Sequence, residues 1–277
     1  MIIDGKKIRQ EILEEVKAGV ETLPFVPVFC DILVGSDPVS AQYVRMKAKT
    51  AESVGIKFRT ADFPDSITTE ELIAEIGNLN RVPHMCGIIV QLPLPAHIER
   101  QAVLDAITPS LDVDCLGTVA SEKFYANDNP IGFPTALACM RALDSTGLEL
   151  THKNIVVLGR GTLVGKPVAH LLQARGLSVS VVSSQTENAE ELLKNADVII
   201  SGIGKGKFIT GDKIQHGAVV VDAGTSEDSG GGVGDVDLES VEPVASYVSP
   251  TPGGVGPITV AILLLNVFES AKLKYEH

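Results

Sequence analysis

Between residues 6 and 23 apolar side chains recur at three- and four-residue spacing (Ile8, Ile12, Leu13, Val16, Val20), which predicts an opening amphipathic helix that Pro24 ends. Residues 26–34 then read as a strand. A second helix is expected over 40–54 and a short strand over 58–63. The capping box Thr68-x-x-Glu71 then opens a helix running to Asn80. Residues 87–91 read as a third buried strand that runs into Gln91-Leu92-Pro93-Leu94-Pro95, and 100–107 as another helix. Helices alternating with apolar strands describe an α/β unit, in which ligands bind at loops following strand C-termini.

After a proline- and aspartate-rich stretch over 109–130, a helix over 135–146 leads into a second alternating region. Its strands are expected at 155–158, 178–182, 197–201 and 218–222, with helix-forming residues resuming at Val168 and a helix over 189–194. The glycine-rich turn from Gly230 to Gly234 reads as a flexible hairpin. Ser249-Pro250-Thr251-Pro252-Gly253-Gly254-Val255-Gly256-Pro257 is a rigid connection before the apolar helix 258–271, suited to a chain crossing back between domains close to a ligand. The expected fold is therefore α/β, with two α/β domains. Residues 1–134 and 256–277 form the first, and 135–255 form a Rossmann-like doubly wound parallel sheet. The C-terminal helix returns to the first domain.

The 277 residues are 44% apolar, ample for two cores, while the longest apolar run, 258–265, is too short to span a bilayer. The charge-alternating N-terminus does not resemble a signal peptide, so a cytoplasmic protein with no membrane segment is expected. Cys30, Cys86, Cys115 and Cys139 are scattered without a C-x-x-C pair, which suggests neither a metal site nor a disulfide framework. A net charge of −12 argues against nucleic-acid binding, and an anionic substrate would need locally placed cations.

The first candidate chemistry lies at Gly159-Arg160-Gly161-Thr162-Leu163-Val164-Gly165. Glycines after a buried strand let a phosphate approach the backbone, and the following helix offers unpaired N–H groups to it. The spacing is G-x-G-x-x-x-G, and a tight turn without a ligand uses the same residues. The βαβ order that follows favours a dinucleotide. An NAD site carries an acid at the end of the second strand, but here that strand ends Val182-Ser183-Ser184-Gln185-Thr186. Arg160 and Ser184 could hold a 2′-phosphate, so NADP is favoured over NAD, although Arg160 is equally suited to solvent.

Tyr43 and Lys47 lie four apart on the second predicted helix and share a face, which by itself describes a solvated polar surface as well as a site. The surrounding string, Val34-Gly35-Ser36-Asp37-Pro38-Val39-Ser40-Ala41-Gln42-Tyr43-Val44-Arg45-Met46-Lys47, followed by Gly55-Ile56, is more specific. It resembles the signature of the bifunctional methylenetetrahydrofolate dehydrogenase/methenyltetrahydrofolate cyclohydrolase family. The resemblance extends through Val90 to Pro95, Asp112-Val113-Asp114, Gly159-Arg160 with Val164-Gly165-Lys166-Pro167, Gly234-Asp235-Val236-Asp237, and Pro252 to Thr259.

What the resemblance implies is a folate site made of Tyr43, Lys47, Gln91 and Asp114. Asp114 would hold the pterin, Tyr43 would orient its ring, and Lys47 would transfer protons with Gln91 as its hydrogen-bonding neighbour. A lysine partly desolvated there could titrate near working pH. Leu92, Pro252, Gly253, Gly256 and Thr259 would contact substrate, and Gly159, Arg160, Gly161, Ser184 and Thr225 would bind NADP. A homodimer acting on tetrahydrofolate derivatives is implied as well. The chain departs from the family pattern at Cys115, where D-V-D-G has glycine, and at Ile131-Gly132-Phe133-Pro134 for P-C-T-P. It departs again at Ser183-Ser184-Gln185-Thr186 for a basic run, at Gly161 for serine and at Thr225 for isoleucine. Two rival readings remain at this stage: a related dehydrogenase acting on another pterin or a hydroxy acid, and a dinucleotide-binding regulator without catalysis.

Overall fold

Residues 11–134 and the chain from Leu263 onward make one compact unit of the computed structural model, which describes residues 1–228 and 231–275; residues 1–10 and 135–262 make the other. In chain order the elements up to Tyr125 are α1 (Gly5–Val20), β1 (Val28–Val34), α2 (Pro38–Ser53), β2 (Lys57–Phe63), α3 (Thr69–Leu79), β3 (Met85–Val90), α4 (Arg100–Asp105) and α5 (Thr118–Tyr125). The three strands form a parallel sheet in the order β2-β1-β3. Every residue of β1 and β3 is buried, whereas the edge strand β2 is half exposed. This is why β1 and β3 are apolar along nearly their whole length, with Asp31 the one charged residue in the two strands.

Because side chains alternate across a strand, Val28, Cys30, Ile32 and Val34 face a core shared with Leu72, Ile76 and Leu79 of α3, Ile88 and Val90 of β3, and Val103 and Leu104 of α4. Phe29, Asp31 and Leu33 therefore point to the opposite face. Each fully buried aliphatic side chain contributes about 1.5–3 kcal/mol. The Thr68–Glu71 capping box forms in both directions and starts α3. At the start of α2 the Asp37 carboxylate accepts the Ser40 N–H at 2.7 Å, with Pro38 in the first turn. The proline- and aspartate-rich stretch over 109–130, for which no element was foreseen, contains α5, whose buried Ala120 and Phe124 lie one turn apart. Eight residues with only two core contacts carry too little periodicity to be recognised in the sequence.

The remaining elements are α6 (Pro134–Asp144), β4 (Ile155–Leu158), α7 (Gly165–Ala174), β5 (Val179–Val182), α8 (Ala189–Lys194), β6 (Val198–Ser201), β7 (Val219–Asp222), β8 (Ser226–Asp228), β9 (Gly231–Val233), α9 (Leu238–Val241), β10 (Tyr247–Val248) and α10 (Val255–Tyr275), with a short 3₁₀ turn at Gly211–Lys213. Five parallel strands form a sheet in the order β10-β7-β6-β4-β5. The chain leaves β4 to one side for β5 and returns to its other side for β6, so the strand order reverses at the C-terminal end of β4. β10 has two residues and was not foreseen; Ile3 N donates to Val248 O at 2.9 Å, which places the first residues with this unit. β8 and β9 pair antiparallel, while the turn at Gly230 lies outside the described residues.

α7 starts three residues before Val168 because Gly165 sits against the Gly159 carbonyl, where any Cβ would collide. α10 is longer than the apolar run within it. By length and composition it could cross a membrane, but 56% of its most apolar window is buried within the protein, as in a core helix.

Candidate functional site

Lys47 projects from the third turn of α2 and is only 8% exposed. Its Nζ donates to Gln91 Oε1 at 2.8 Å and forms an ion pair with Asp31 Oδ2 at 2.6 Å. Gln91 follows directly on β3 and is fixed there by its backbone N–H, which donates to Ile32 O at 2.8 Å on β1. Lysine and glutamine, 44 residues apart, thus meet because α2 and the end of β3 both border the central strand. Tyr43, one helical turn before Lys47, remains 53% exposed. Leu92 is half-buried, and the Leu92–Pro93 peptide is cis.

Asp114 reaches this cluster through the loop before α5. Ile88 N donates to Leu111 O at 2.8 Å, and Ile88 pairs with Asp112 in a bridge, so the loop runs beside β3. Asp112 is buried and accepts the Gly117 N–H at 2.7 Å, which closes the turn. Asn266 on α10 donates from one amide nitrogen to Val113 O at 2.8 Å and Gly132 O at 2.7 Å, holding the strand of chain on which Asp114 sits. Burial pushes the Asp114 carboxyl up to about 7; Lys47 pulls it down, while Asp112 and Asp31 push it further up.

Asp31, absent from the sequence reading, is fully buried beneath Lys47. Burial raises its carboxyl above the usual range against the pull of Lys47. Its visible signal was an acid inside the apolar run Val28-Phe29-Cys30-Asp31-Ile32-Leu33-Val34. Asn266 had no comparable signal, since its partners are backbone carbonyls far away in sequence.

Cys115 adopts φ +61°, the left-handed region that favours glycine. An L side chain there costs about 1–2 kcal/mol, of which the greater flexibility of an unfolded glycine returns roughly 0.5–1 kcal/mol. Cys115→Gly should therefore melt above Cys115→Ala, reversing the usual order of those residues, since both variants lose the buried sulfur equally. Thermal denaturation of the two variants checks this, and an alanine variant of equal or higher melting temperature contradicts it.

In the other unit, Gly159 N donates to Val182 O at 2.8 Å, and Leu158 lies opposite both Val182 and Ser201. This register sets Arg160 and Ser184 each two residues past paired strand ends, at the same edge of the sheet and both exposed. Gly159 has φ +108°, a conformation few L residues adopt, and a Cβ on Gly161 would meet nothing within 4 Å. The edge is thus open, backbone-lined and cationic at Arg160, with no acid at the end of β5, which fits a dinucleotide carrying a 2′-phosphate. Thr225 is exposed three residues past the end of β7. In the connection before α10, Thr251–Pro252 is cis and Gly253 has φ +108°; in the first turns of α10, a Cβ on Gly256 would meet nothing within 4 Å, and Thr259 Oγ1 donates back to Val255 O at 3.1 Å.

Two family models match the chain: the catalytic domain of tetrahydrofolate dehydrogenase/cyclohydrolase over residues 3–114, and its NAD(P)-binding domain over residues 134–275. The chain is 38% identical over 276 residues to the bifunctional protein FolD of Acinetobacter baumannii, with 98% of each chain covered. It superposes on the bifunctional FolD of Campylobacter jejuni with a TM-score of 0.93 at 37% identity, covering 99% of both. It superposes equally, at 34% identity and with 100% and 99% of the two chains covered, on the Trypanosoma brucei methylenetetrahydrofolate dehydrogenase-cyclohydrolase solved with NADP and an inhibitor.

Proposed function

Since the chain belongs to the tetrahydrofolate dehydrogenase/cyclohydrolase family, we infer that it is a bifunctional, NADP-dependent enzyme of one-carbon metabolism. It oxidises 5,10-methylenetetrahydrofolate to 5,10-methenyltetrahydrofolate and hydrolyses that product to 10-formyltetrahydrofolate. We propose that residues 1–134 with 256–277 carry the folate site and residues 135–255 the NADP site. The observation that carries the catalytic assignment is the buried Lys47 hydrogen-bonded to Gln91 in the electrostatic neighbourhood of Asp114.

In this reading Asp114 anchors the pterin, because a carboxylate can accept two hydrogen bonds from the ring's amino and N–H groups. Tyr43, on the exposed side of the same helix face, orients the ring, and Leu92 with Pro252, Gly253, Gly256 and Thr259 completes the substrate contacts. NADP, when bound, supplies the hydride acceptor, held by Gly159, Arg160, Gly161, Ser184 and Thr225. Loss of hydride leaves a methenyl cation. Water then adds to its carbon, the added oxygen gives up both of its protons to become the formyl carbonyl, and a ring nitrogen gains one proton as its bond to that carbon breaks, so that one proton is released overall. Lys47, fixed by Gln91, is the group placed to carry these protons.

Incubating purified protein with methylenetetrahydrofolate and each nicotinamide cofactor separates this reading from its rivals: reduced cofactor and 10-formyl product should appear together. Reduced cofactor without ring opening would indicate a dehydrogenase alone, and neither product would indicate a binding protein. The working form is expected to be a cytoplasmic homodimer, which light scattering of the purified protein and fractionation of cells would test.

NADP specificity rests on Arg160. Loss of a well-formed charge-assisted contact costs on the order of 1.5–3 kcal/mol. Arg160→Ala should therefore raise the apparent constant for NADP at least about tenfold and leave NAD nearly unchanged. Equal losses with both cofactors would assign Arg160 to supporting the loop instead.

A further inference from the structure

A carboxylate in the middle of a fully buried strand needs an explanation. All seven residues of β1 are buried and the other six are apolar, yet Asp31 is fully enclosed at the strand's centre, paired in register with Thr60 of β2 and Ile89 of β3. Burying a charge costs several kcal/mol unless a partner compensates it. Beyond the ion pair with Lys47, neither Asp31 oxygen has a hydrogen-bond partner among the described residues. Among the described residues, its one ion-pair partner is the lysine already bound to Gln91.

We propose that Asp31 is a positioning residue for Lys47: its carboxylate supplies the counter-charge that holds the ammonium on the Gln91 carbonyl while a cationic substrate forms beside it. The proposal rests on the assignment of Lys47 as the proton carrier. The charged groups that bear on Asp31 are Lys47 from α2 and Asp62 from β2, while Asp114, from the loop before α5, lies in the field of both Lys47 and Asp31. Of these carboxylates, Asp31 is the one that forms an ion pair with Nζ among the described residues. The methenyl intermediate carries a positive charge, so an uncompensated ammonium next to it would be repelled and driven from its place. A buried anion on the far side of Nζ removes that repulsion and leaves the protons directed at Gln91 and the ligand.

The test is Asp31→Asn, which keeps the shape and withdraws the charge, with Asp31→Ser as a second neutral variant and calorimetry to express each rate per folded molecule. Cyclohydrolase kcat should fall about ten- to a hundredfold, the loss expected of a misplaced catalytic group, with KM for folate changing far less. The limb of the pH profile that needs a protonated group should move to lower pH, because a neighbouring anion no longer favours the proton. In the Lys47→Met background the same substitution should add little, since the two residues act as one unit. Wild-type kcat with an unmoved profile in both neutral variants, or a full additional loss on top of Lys47→Met, would overturn the proposal. Ring opening at the wild-type rate in Lys47→Met alone would instead overturn the assignment of Lys47, and with it the role given to Asp31.

Discussion

Lys47→Met should dehydrogenate its substrate and then stall, so that methenyltetrahydrofolate absorbance accumulates during turnover with NADP. Methionine keeps most of the volume of the lysine chain but can neither donate nor accept a proton. Hydride transfer requires alignment of the methylene carbon with its acceptor and little proton movement. Hydrolysis requires protons to leave the added water and reach the ring nitrogen, and a lost acid/base group costs about 10²–10⁴-fold. Cyclohydrolase activity should fall within that range while dehydrogenase activity falls less. Lys47 is anchored between Gln91 and Asp31, so its loss also leaves the buried Asp31 carboxylate without its ion-pair partner. Some loss of stability is expected for that reason, and rates must be taken per folded molecule. Ring opening at the wild-type rate would leave Tyr43 or bulk water as the proton carrier.

Asp114 carries the second large effect, and its direction depends on pH. Its carboxyl is raised to about 7 in the folded protein, above its ordinary value of 3.8, chiefly by burial. A folded-state pKa raised above the unfolded one contributes stability that is complete below about pH 4 and is lost as pH rises through about 7. A shift of roughly three units corresponds to at most about 4 kcal/mol. Asp114→Asn should therefore make the ligand-free enzyme more stable at mildly alkaline pH, with the gain vanishing in acid, as melting curves at several pH values would show.

Folate binding should move the other way. The pterin's donors are best met by a carboxylate, so wild-type folate affinity should weaken roughly tenfold for each pH unit below about 7, with protons released on binding. Asp114→Ala should weaken folate binding and depress both activities together. An affinity unchanged between about pH 6 and pH 8, or normal folate binding by Asp114→Ala in calorimetry, would place the pterin elsewhere. If Asn266 sets the loop, Val113 and Gly132 should shift when it is replaced, because their carbonyls share its amide.

Most regular elements were legible in the sequence because their burial is simple. β1, β3, β4, β6 and β7 are buried along their whole length and are predominantly apolar in sequence. The Thr68–Glu71 box marked the start of α3 by a local hydrogen-bond exchange that needs no distant partner. α5 and β10 escaped because they are short and owe their form to neighbours far away in the chain: β10 lies between β7 and the first residues of the protein. Likewise, Cys115 can be seen in the sequence as a departure from a family pattern, but its positive φ, and hence the reason glycine suits the position, is a property of the folded loop.

The sequence by itself determined the alternation of helices and strands, the glycine turn after β4 and the missing acid after β5, which are local chemical facts set by side-chain type and spacing within a few residues. Tyr43, Lys47, Gln91 and Asp114 became candidates through the resemblance of their surrounding strings to a family signature, not through spacing. Tertiary structure alone decided which of them meet. It brings Lys47 onto Gln91 across the end of the sheet, leaves Tyr43 exposed one turn away, and raises the Asp114 carboxyl by desolvation against the pull of Lys47. It also places Asp31 beneath the lysine, where an acid in an apolar run becomes the partner of a charge 16 residues later. Contacts of this kind depend on strand register, helix docking and the removal of water, and those arise only when segments separated in the chain pack together.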